Sequence, residues 1–352
     1  MRLLNRKQWI GLVFATLSLT GVLFSLAVIL LDRDYRKPLP PHQIGNRPDS
    51  VGALKEKGFP FSFLVISDTH DNENGYALLE EVLRKNHSSF LIHLGDSVDV
   101  PNLWRHRYFV KRLTGEIRPP FPIFRVPGNH DIAYGFKGGA DGQKVTPEVY
   151  QSLFGAISFD FTFNSCLFIL CGVDLNDPGA FVDDLRSVLT RKAEGKKYIF
   201  VFMHYPPEAV ISGFDFPREE EFLSLLESFK VTSCFFGHYH GYQRSQIRGI
   251  SMTVVGGGGG PLKDWQSEWG KFHHALEITV GEDSLTENMI VLKRETLFRH
   301  SLKWWIVVNV LPLVPNRVWT VYACALVLLS FLIGSLVALK KAGRRRKTRK
   351  WV

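Results

Sequence analysis

Five short segments carry side chains able to bind metal ions: Asp68-Thr69-His70, Gly95-Asp96, Gly128-Asn129-His130-Asp131, His204 and Gly237-His238-Tyr239-His240. Each follows an apolar run of strand character, where a loop can hold polar groups over a rigid scaffold. Taken singly they say little, because a lone histidine at a strand end is more often a hydrogen-bonded structural residue. Together they offer carboxylate oxygens, an amide oxygen and neutral imidazoles, a mixture suited to zinc, manganese or iron. Thiolates are absent from the set. Asp68 and His70, like His238 and His240, are separated by one residue and can reach one cluster only where the backbone leaves the strand. Gly95, Gly128 and Gly237 are expected to supply the close turns.

The elements that must position these loops alternate along the chain. Strand-like runs at 61–66, 89–94 and 122–126 are interleaved with helical spacing at 75–86 and 102–113. A helix is predicted over 147–154, with Thr146 as N-cap and Pro147 in its first turn. Paired strands follow at 158–164 and 167–174, then a helix at 183–193, a strand at 198–203 and a helix at 218–229. Strands dominate thereafter, at 234–236, 243–247, 252–255, 275–280 and 288–292. The expected fold class is α/β, a layered sandwich of mixed β-sheets flanked by helices. No internal repeat is apparent.

The ordered set of loops resembles the calcineurin-like metallophosphoesterase superfamily, whose pattern is DxH, GD, GNH[DE], H and GHxH. Every block is present in order, over roughly residues 61–291. The resemblance implies two divalent or trivalent ions drawn from manganese, zinc and iron. One would be held by Asp68, His70 and His240, the second by Asn129, His204 and His238, with Asp96 bridging both. His130 matches a position that approaches the leaving-group oxygen, or steadies the transition state, without ligating metal. The implied chemistry is hydrolysis of phosphate mono- or diesters by attack of a metal-bound hydroxide. No GxSxG serine motif argues for a protein nucleophile. Purple acid phosphatases share the pattern but carry a tyrosine three positions after the bridging aspartate. This chain has Asp99 there, so a tyrosinate-bound ferric ion is not expected.

Several other groups are weaker candidates. Arg105 and Arg107 could meet a substrate phosphate, although such a run on a helix, His106 included, is usually a solvated face. The glycine run at 256–260 lacks the Lys-Ser/Thr ending of a phosphate-cradling loop and reads as a close-approach loop. Lys263, Trp265 and Trp269 after it could shape a substrate mouth or lie on a surface loop. His93, His273 and His274 read as structural. Cys166 and Cys171 fall on opposite faces of one strand-like run, and the four cysteines form neither a disulfide framework nor a thiolate zinc site.

The net charge of +9 lies at the ends. Three basic residues precede position 8 and eight fall between Lys340 and Lys350, leaving the body at −2. A nearly neutral body excludes nucleic acid as the main partner. Residues 8–31 and 318–339 are uncharged over 24 and 22 positions, each enough to cross a bilayer core of about 30 Å. The first could instead be a cleaved signal peptide, given Ser25-Leu26-Ala27, but its apolar run exceeds the usual length. Basic clusters mark the cytoplasmic side.

The expected organisation is therefore a cytoplasmic N-terminus at 1–7, a transmembrane helix at 8–31 and a linker at 32–50. A metallophosphoesterase domain at 51–300 follows, then a juxtamembrane segment at 301–317, a transmembrane helix at 318–339 and a basic cytoplasmic tail at 340–352. The juxtamembrane segment, headed by Trp304 and Trp305, reads either as interfacial or as core-packing. The catalytic domain would lie outside the cytoplasm, in a bacterium in the periplasm or at the cell surface. The expected partners are membrane lipids and a phosphoester, with lipid headgroups among the candidates, and no protein partner is evident. A catalytically silent receptor or scaffold on the same fold is the alternative.

Overall fold

The computed structural model describes residues 6–39, 43–56, 58–84, 87–134, 143–213, 215–262, 270–314 and 318–348. The chain divides into two compact units, Met1–Pro38 with Leu302–Val352, and Leu39–Ser301.

In the first unit, helix α1 (Arg6–Tyr35) packs along the C-terminal helix (Val318–Thr348). The pairing is antiparallel, since Gly11 meets Leu339 and Gly21 meets Leu328. A Cβ at Gly21 would lie 2.7 Å from a Leu328 methyl, so the glycine lets the helices approach closely. The helical segments 9–35 and 320–340 are long and apolar enough to cross a membrane. A signal sequence near an N-terminus passes the same test. Residues 302–313 form three short helical turns that pack on α1. Trp304, Val307 and Leu311 are buried, while Trp305 and Leu313 are exposed.

The second unit is an α/β sandwich of two mixed sheets. One contains β1 (Phe61–Ile66), β2 (Leu91–His93), β3 (Ile123–Arg125), β10 (His274–Val280) and β11 (Leu285–Val291), in the order β11-β10-β1-β2-β3. β1, β2 and β3 run parallel, and β10 and β11 add antiparallel. The other contains β4 (Phe159–Phe163), β5 (Cys166–Cys171), β6 (Tyr198–Met203), β7 (Ser233–Phe236), β8 (Tyr242–Ile247) and β9 (Ile250–Val255), in the order β4-β5-β6-β7-β9-β8. Its four inner strands are parallel and its two edges antiparallel.

Strand alternation explains the layers. Phe61, Phe63 and Val65 of β1 face Phe168, Phe200, Phe202 and Phe235 of the opposite sheet. Phe63 touches Phe90 at 5.5 Å stacked, and Phe168 and Phe200 at 5.3 Å edge-on, so aromatic rings fill the interlayer space. Leu167, Ile169 and Cys171 turn the other way, onto α6 (Phe181–Lys192) and α7 (Glu219–Ser228). Cys166 and Cys171 thus lie in different layers, both buried as free thiols. The short helix α2 (Pro48–Gly52) precedes β1, helices α3 (Glu73–Arg84) and α4 (Leu103–Lys111) follow β1 and β2, and α5 (Pro147–Phe154) starts with Thr146 capping Val149 N.

Part of the expected linker is ordered. Gly45 N donates to Ile123 O at 2.7 Å, and the Asn46 amide exchanges hydrogen bonds with Arg125 N and O at 2.9 and 2.6 Å. The segment is poor in apolar groups and is held by pairing with β3, an edge strand whose free backbone groups need partners.

Candidate metal centre

The loops leave the carboxyl ends of five parallel strands, β1, β2 and β3 from one sheet and β6 and β7 from the other, the usual place for a site in such sheets. After β1 the backbone turns sharply: Asp68, His70 and Asp71 have φ of 54°, 48° and 44°. Asp96 and His238 are also left-handed, at 52° and 66°. The turns lie in the presumed ligands themselves, a conformation that costs energy in a non-glycine residue and clusters at functional sites. Of the three expected turn glycines only Gly95 has positive φ, at 101°. Gly128 and Gly237 serve close approach instead: a Cβ there would lie 2.2 Å from Asp96 Oδ1 and 2.1 Å from Ser67 Oγ. Backbone bonds from Asp68 N to Gly95 O and from His70 N to Asp96 O, both 2.9 Å, tie the first two loops together.

Among the described residues three groups of ligand atoms result, Asp68, His70, Asp96 and His240, then Asp96, His204 and His238, and a third of His70, Asp99 and His130, each with its atoms within 4.8 Å of one another; Asp96 joins the first two. Its Oδ1 accepts from His130 N at 2.8 Å, while Oδ2 lies 3.7 Å from His70 Nε2 and 3.4 Å from His204 Nε2. Asn129 Oδ1 is 3.2 Å from His204 Nε2, which joins the asparagine to the second group.

The tautomers are fixed from behind. His240 Nδ1 donates to Pro261 O at 2.8 Å, and His204 Nδ1 donates to Leu94 O at 2.8 Å. His70 Nδ1 faces the Asp99 carboxylate at 3.2 Å and donates to it. All three neutral rings therefore aim an Nε2 lone pair inward. His70 Nε2 and His240 Nε2 are only 3.1 Å apart, and Asp68 Oδ1 is buried without a hydrogen-bond partner. Its other oxygen accepts from His238 N at 3.0 Å. Facing lone pairs and an orphan carboxylate oxygen call for a cation. The protonation preferences agree. Burial opposes a charged His70, yet the Asp68 carboxylate 3.9 Å from its Nε2 and the hydrogen bond to Asp99 raise its pKa to about 10. Burial likewise opposes a charged His204, and Asp96 raises it to about 9. The centre attracts positive charge, and the residues present fit two ions.

Asp131, the fourth residue of its block, is the internal anchor. Its carboxylate accepts from Asp96 N, Ser97 N and Gly128 N at 2.7, 3.1 and 2.9 Å, and pairs with the fully buried Arg125 at 3.2 Å. Burial alone would raise its pKa, but the Arg125 charge holds it well below the usual carboxylate range.

A family model described as calcineurin-like phosphoesterase matches residues 61–242, just over half of the chain. The chain belongs to that family. This calcineurin-like phosphoesterase carries a buried Asp/His cluster able to hold metal. No curated protein sequence matches it. Among solved structures, a purple acid phosphatase from yellow lupin (Lupinus luteus) is similar at 14% identity and a TM-score of 0.53, over 69% of this chain and 53% of that one. The chain thus spans about half the length of that relative. A dimetal phosphatase from Danio rerio is similar at 14% identity and a TM-score of 0.51, over 66% of this chain and 98% of that one. At these identities the likeness is one of fold.

Around the phosphoesterase cluster the structure sorts the remaining candidates. His130 Nδ1 donates to Asp99 O at 2.7 Å, and its ring lies 5.0 Å from that of His70. Arg105 is bound to Asp71 at 3.1 Å and lies 3.8 Å from Asp99, so it stands beside the cluster with its charge engaged. Arg107 is half-buried on the same helix, whereas His106, expected on a solvated face, is fully buried. It donates from Nε2 to Asp131 O at 2.9 Å, because the first turns of α4 pack behind the cluster rather than outward. Lys263, Trp265 and Trp269 lie outside the described residues. The glycine run is buried against the site: a Cβ at Gly260 would lie 2.7 Å from the His70 ring. His93 bonds Thr69 Oγ1 at 3.1 Å, and His273 and His274 bond the carbonyls of Gly257 and Phe272, all structural roles.

Sequence reasoning missed the part played by Asp99, which touches His70, His130 and Arg299. Its carboxylate is held well below the usual range, first by His70 and then by Arg299 at 2.8 Å. Its position three residues after Asp96 was the available signal. Arg299 had none, being 200 positions away.

Proposed function

We propose that the chain hydrolyses phosphate mono- or diesters, and that Asp68, His70 and His240 would hold one ion and Asn129, His204 and His238 a second, with Asp96 serving both. The observation that carries this reading is the inward convergence of Nε2 lone pairs from His70, His204 and His240 on two buried carboxylates. Two such ions supply a water of lowered pKa and screen the charge on phosphoryl oxygens. The donor set, oxygen and imidazole without thiolate, suits manganese, zinc or iron. His130 is the proton donor in this reading. Its Nδ1–H is committed to Asp99 O, which leaves Nε2 to carry the transferable proton.

The membrane-anchored organisation is proposed with it: spans at 8–31 and 318–339, termini in the cytoplasm and the phosphoesterase domain on the other side. The antiparallel pairing of the terminal helices supports both termini lying on one side, and the basic ends support the cytoplasm. Lipid-linked esters are candidate substrates on this topology.

Release of phosphate or alcohol from aryl mono- and diesters by the purified full chain, abolished by chelator and restored by manganese or zinc, is the expected result. Metal binding without turnover would instead favour a receptor or scaffold. A reporter after Val352 should register in the cytoplasm and one within the domain outside it. The reverse pattern would reject the topology.

A further inference from the structure

Beside the metal centre lies a cavity of about 190 Å³ that the hydrolytic chemistry does not use. One of its walls is His238, a proposed ligand, so the cavity and the second metal group share a side chain. Tyr205 forms the adjoining wall, its ring 5.0 Å from that of His204 and 4.9 Å from that of His238. The far side is Leu175 and Pro178 from the segment before α6, and the floor is Phe181 against Phe216, whose rings meet edge-on at 5.5 Å. Asp215, exposed at the rim, is the only formally charged side chain among the described lining residues.

We infer that this cavity is the subsite for the organic substituent of the phosphoester, and that the substituent is uncharged, apolar and about the size of one aromatic ring. Size and lining both lead there. An apolar protein cavity of about 150 Å³ accommodates benzene, so the space here takes a ring with a short linker and excludes a pair of acyl chains. Phe181, Phe216 and Tyr205 offer ring edges and faces for offset or edge-on stacking. A second phosphate or a carboxylate would meet Asp215 and, among the described lining residues, no compensating cation, which disfavours nucleoside polyphosphates and anionic sugars. Prolines at 178, 206 and 217 line the space and fix its walls before a ligand arrives.

The inference rests on the phosphoesterase reading, and the test separates the two. The full chain in lipid nanodiscs is assayed on ethyl and 2-phenylethyl phosphate, as monoesters and as methyl diesters, a pair matched in leaving-group reactivity. Burial of the ring should favour the phenylethyl ester by about 10- to 100-fold in kcat/KM. Leu175 is 40% exposed, so Leu175→Glu can be made without opening the core, and it should erase the preference for the phenylethyl ester. A ratio within about threefold in the wild type, or a preference that survives Leu175→Glu, overturns the subsite. A binding readout needs no turnover: alkylation of Leu175→Cys, followed by peptide mass spectrometry in chelator-treated protein, should be slowed by 2-phenylethanol and not by ethanol. Protection without hydrolysis of any ester would sink the phosphoesterase reading and keep the cavity. Equal alkylation with both alcohols would sink the cavity.

Discussion

His70 Nε2 and His240 Nε2 face each other at 3.1 Å, while each ring commits its Nδ1–H to an acceptor behind it, Asp99 and the Pro261 carbonyl. Two lone pairs at that distance repel unless a cation lies between or beside them. The same geometry recurs at His204, whose Nδ1 is spent on Leu94 O. The backbone carbonyls and Asp99 therefore set the chemistry of the centre by deciding which nitrogen is free.

Asp96→Asn should reduce the bound metal toward one ion per chain or fewer and cut turnover by more than the about 10- to 100-fold typical of an outer hydrogen-bond partner. The amide can still accept from His130 N through the position of Oδ1, so the loop geometry is retained. Metal content is read by elemental analysis and turnover on an aryl ester. Two retained ions with near wild-type activity would contradict a shared Asp96.

Asp99→Ala removes the acceptor for His70 Nδ1–H and should weaken metal affinity by about 10- to 100-fold, with turnover recovering at saturating metal. Asp99→Asn, which keeps an acceptor oxygen, should lose less. Calorimetric metal titration of both variants checks the order. An unchanged affinity in Asp99→Ala would remove Asp99 from the orientation of His70. Because position 99 carries no phenol, the metal-loaded wild type should also show no tyrosinate charge-transfer band.

His106 gives the fold an acid limit. Burial pushes its pKa down to about 4, and its neutral Nε2–H serves Asp131 O. The unfolded chain, with histidine near about 6.5, binds the extra proton, so stability is intact above that pH and falls as pH drops toward 4. The loss amounts to about 3 kcal/mol at most. His106→Gln should lower the thermal midpoint at pH 7 yet flatten its decline between pH about 6.5 and 4. An equally steep decline in the variant would assign the acid sensitivity elsewhere.

What was legible in the sequence follows from chain-local physics. The five loops were recognisable because an apolar strand ending on glycine, aspartate or histidine is a local pattern, and helix α5 was bounded by a local cap at Thr146. Contacts between distant segments left no such trace. Asn46 looks like linker until β3 presents its edge, and Arg299 looks like a surface cation until it meets Asp99. The burial of His106 was equally hidden, since Arg105 and Arg107 on either side give the run a solvated composition and only packing against α5, where Phe154 lies 5.4 Å from its ring, decides otherwise.

The role of His130 is open to a test that separates acid from ligand. Its Nδ1–H is held by Asp99 O and its backbone N–H by Asp96 Oδ1, so the residue is anchored at two points without offering Nδ1 to a metal. Nε2 is then the atom positioned to protonate an ester oxygen. A general acid contributes about 10² to 10⁴ in rate, and contributes most where the leaving group is a poor one. His130→Ala should keep both ions, because the two groups built on Asp96 do not include it, although it stands with His70 and Asp99 in a third. It should hydrolyse an alkyl ester more slowly than wild type by a factor in that range, while losing far less on a nitrophenyl ester, whose departing phenolate needs little protonation. Equal losses on both esters would point instead to electrostatic stabilisation of the transition state. Loss of bound metal would make His130 a ligand and force the assignment of Asn129 to be redrawn.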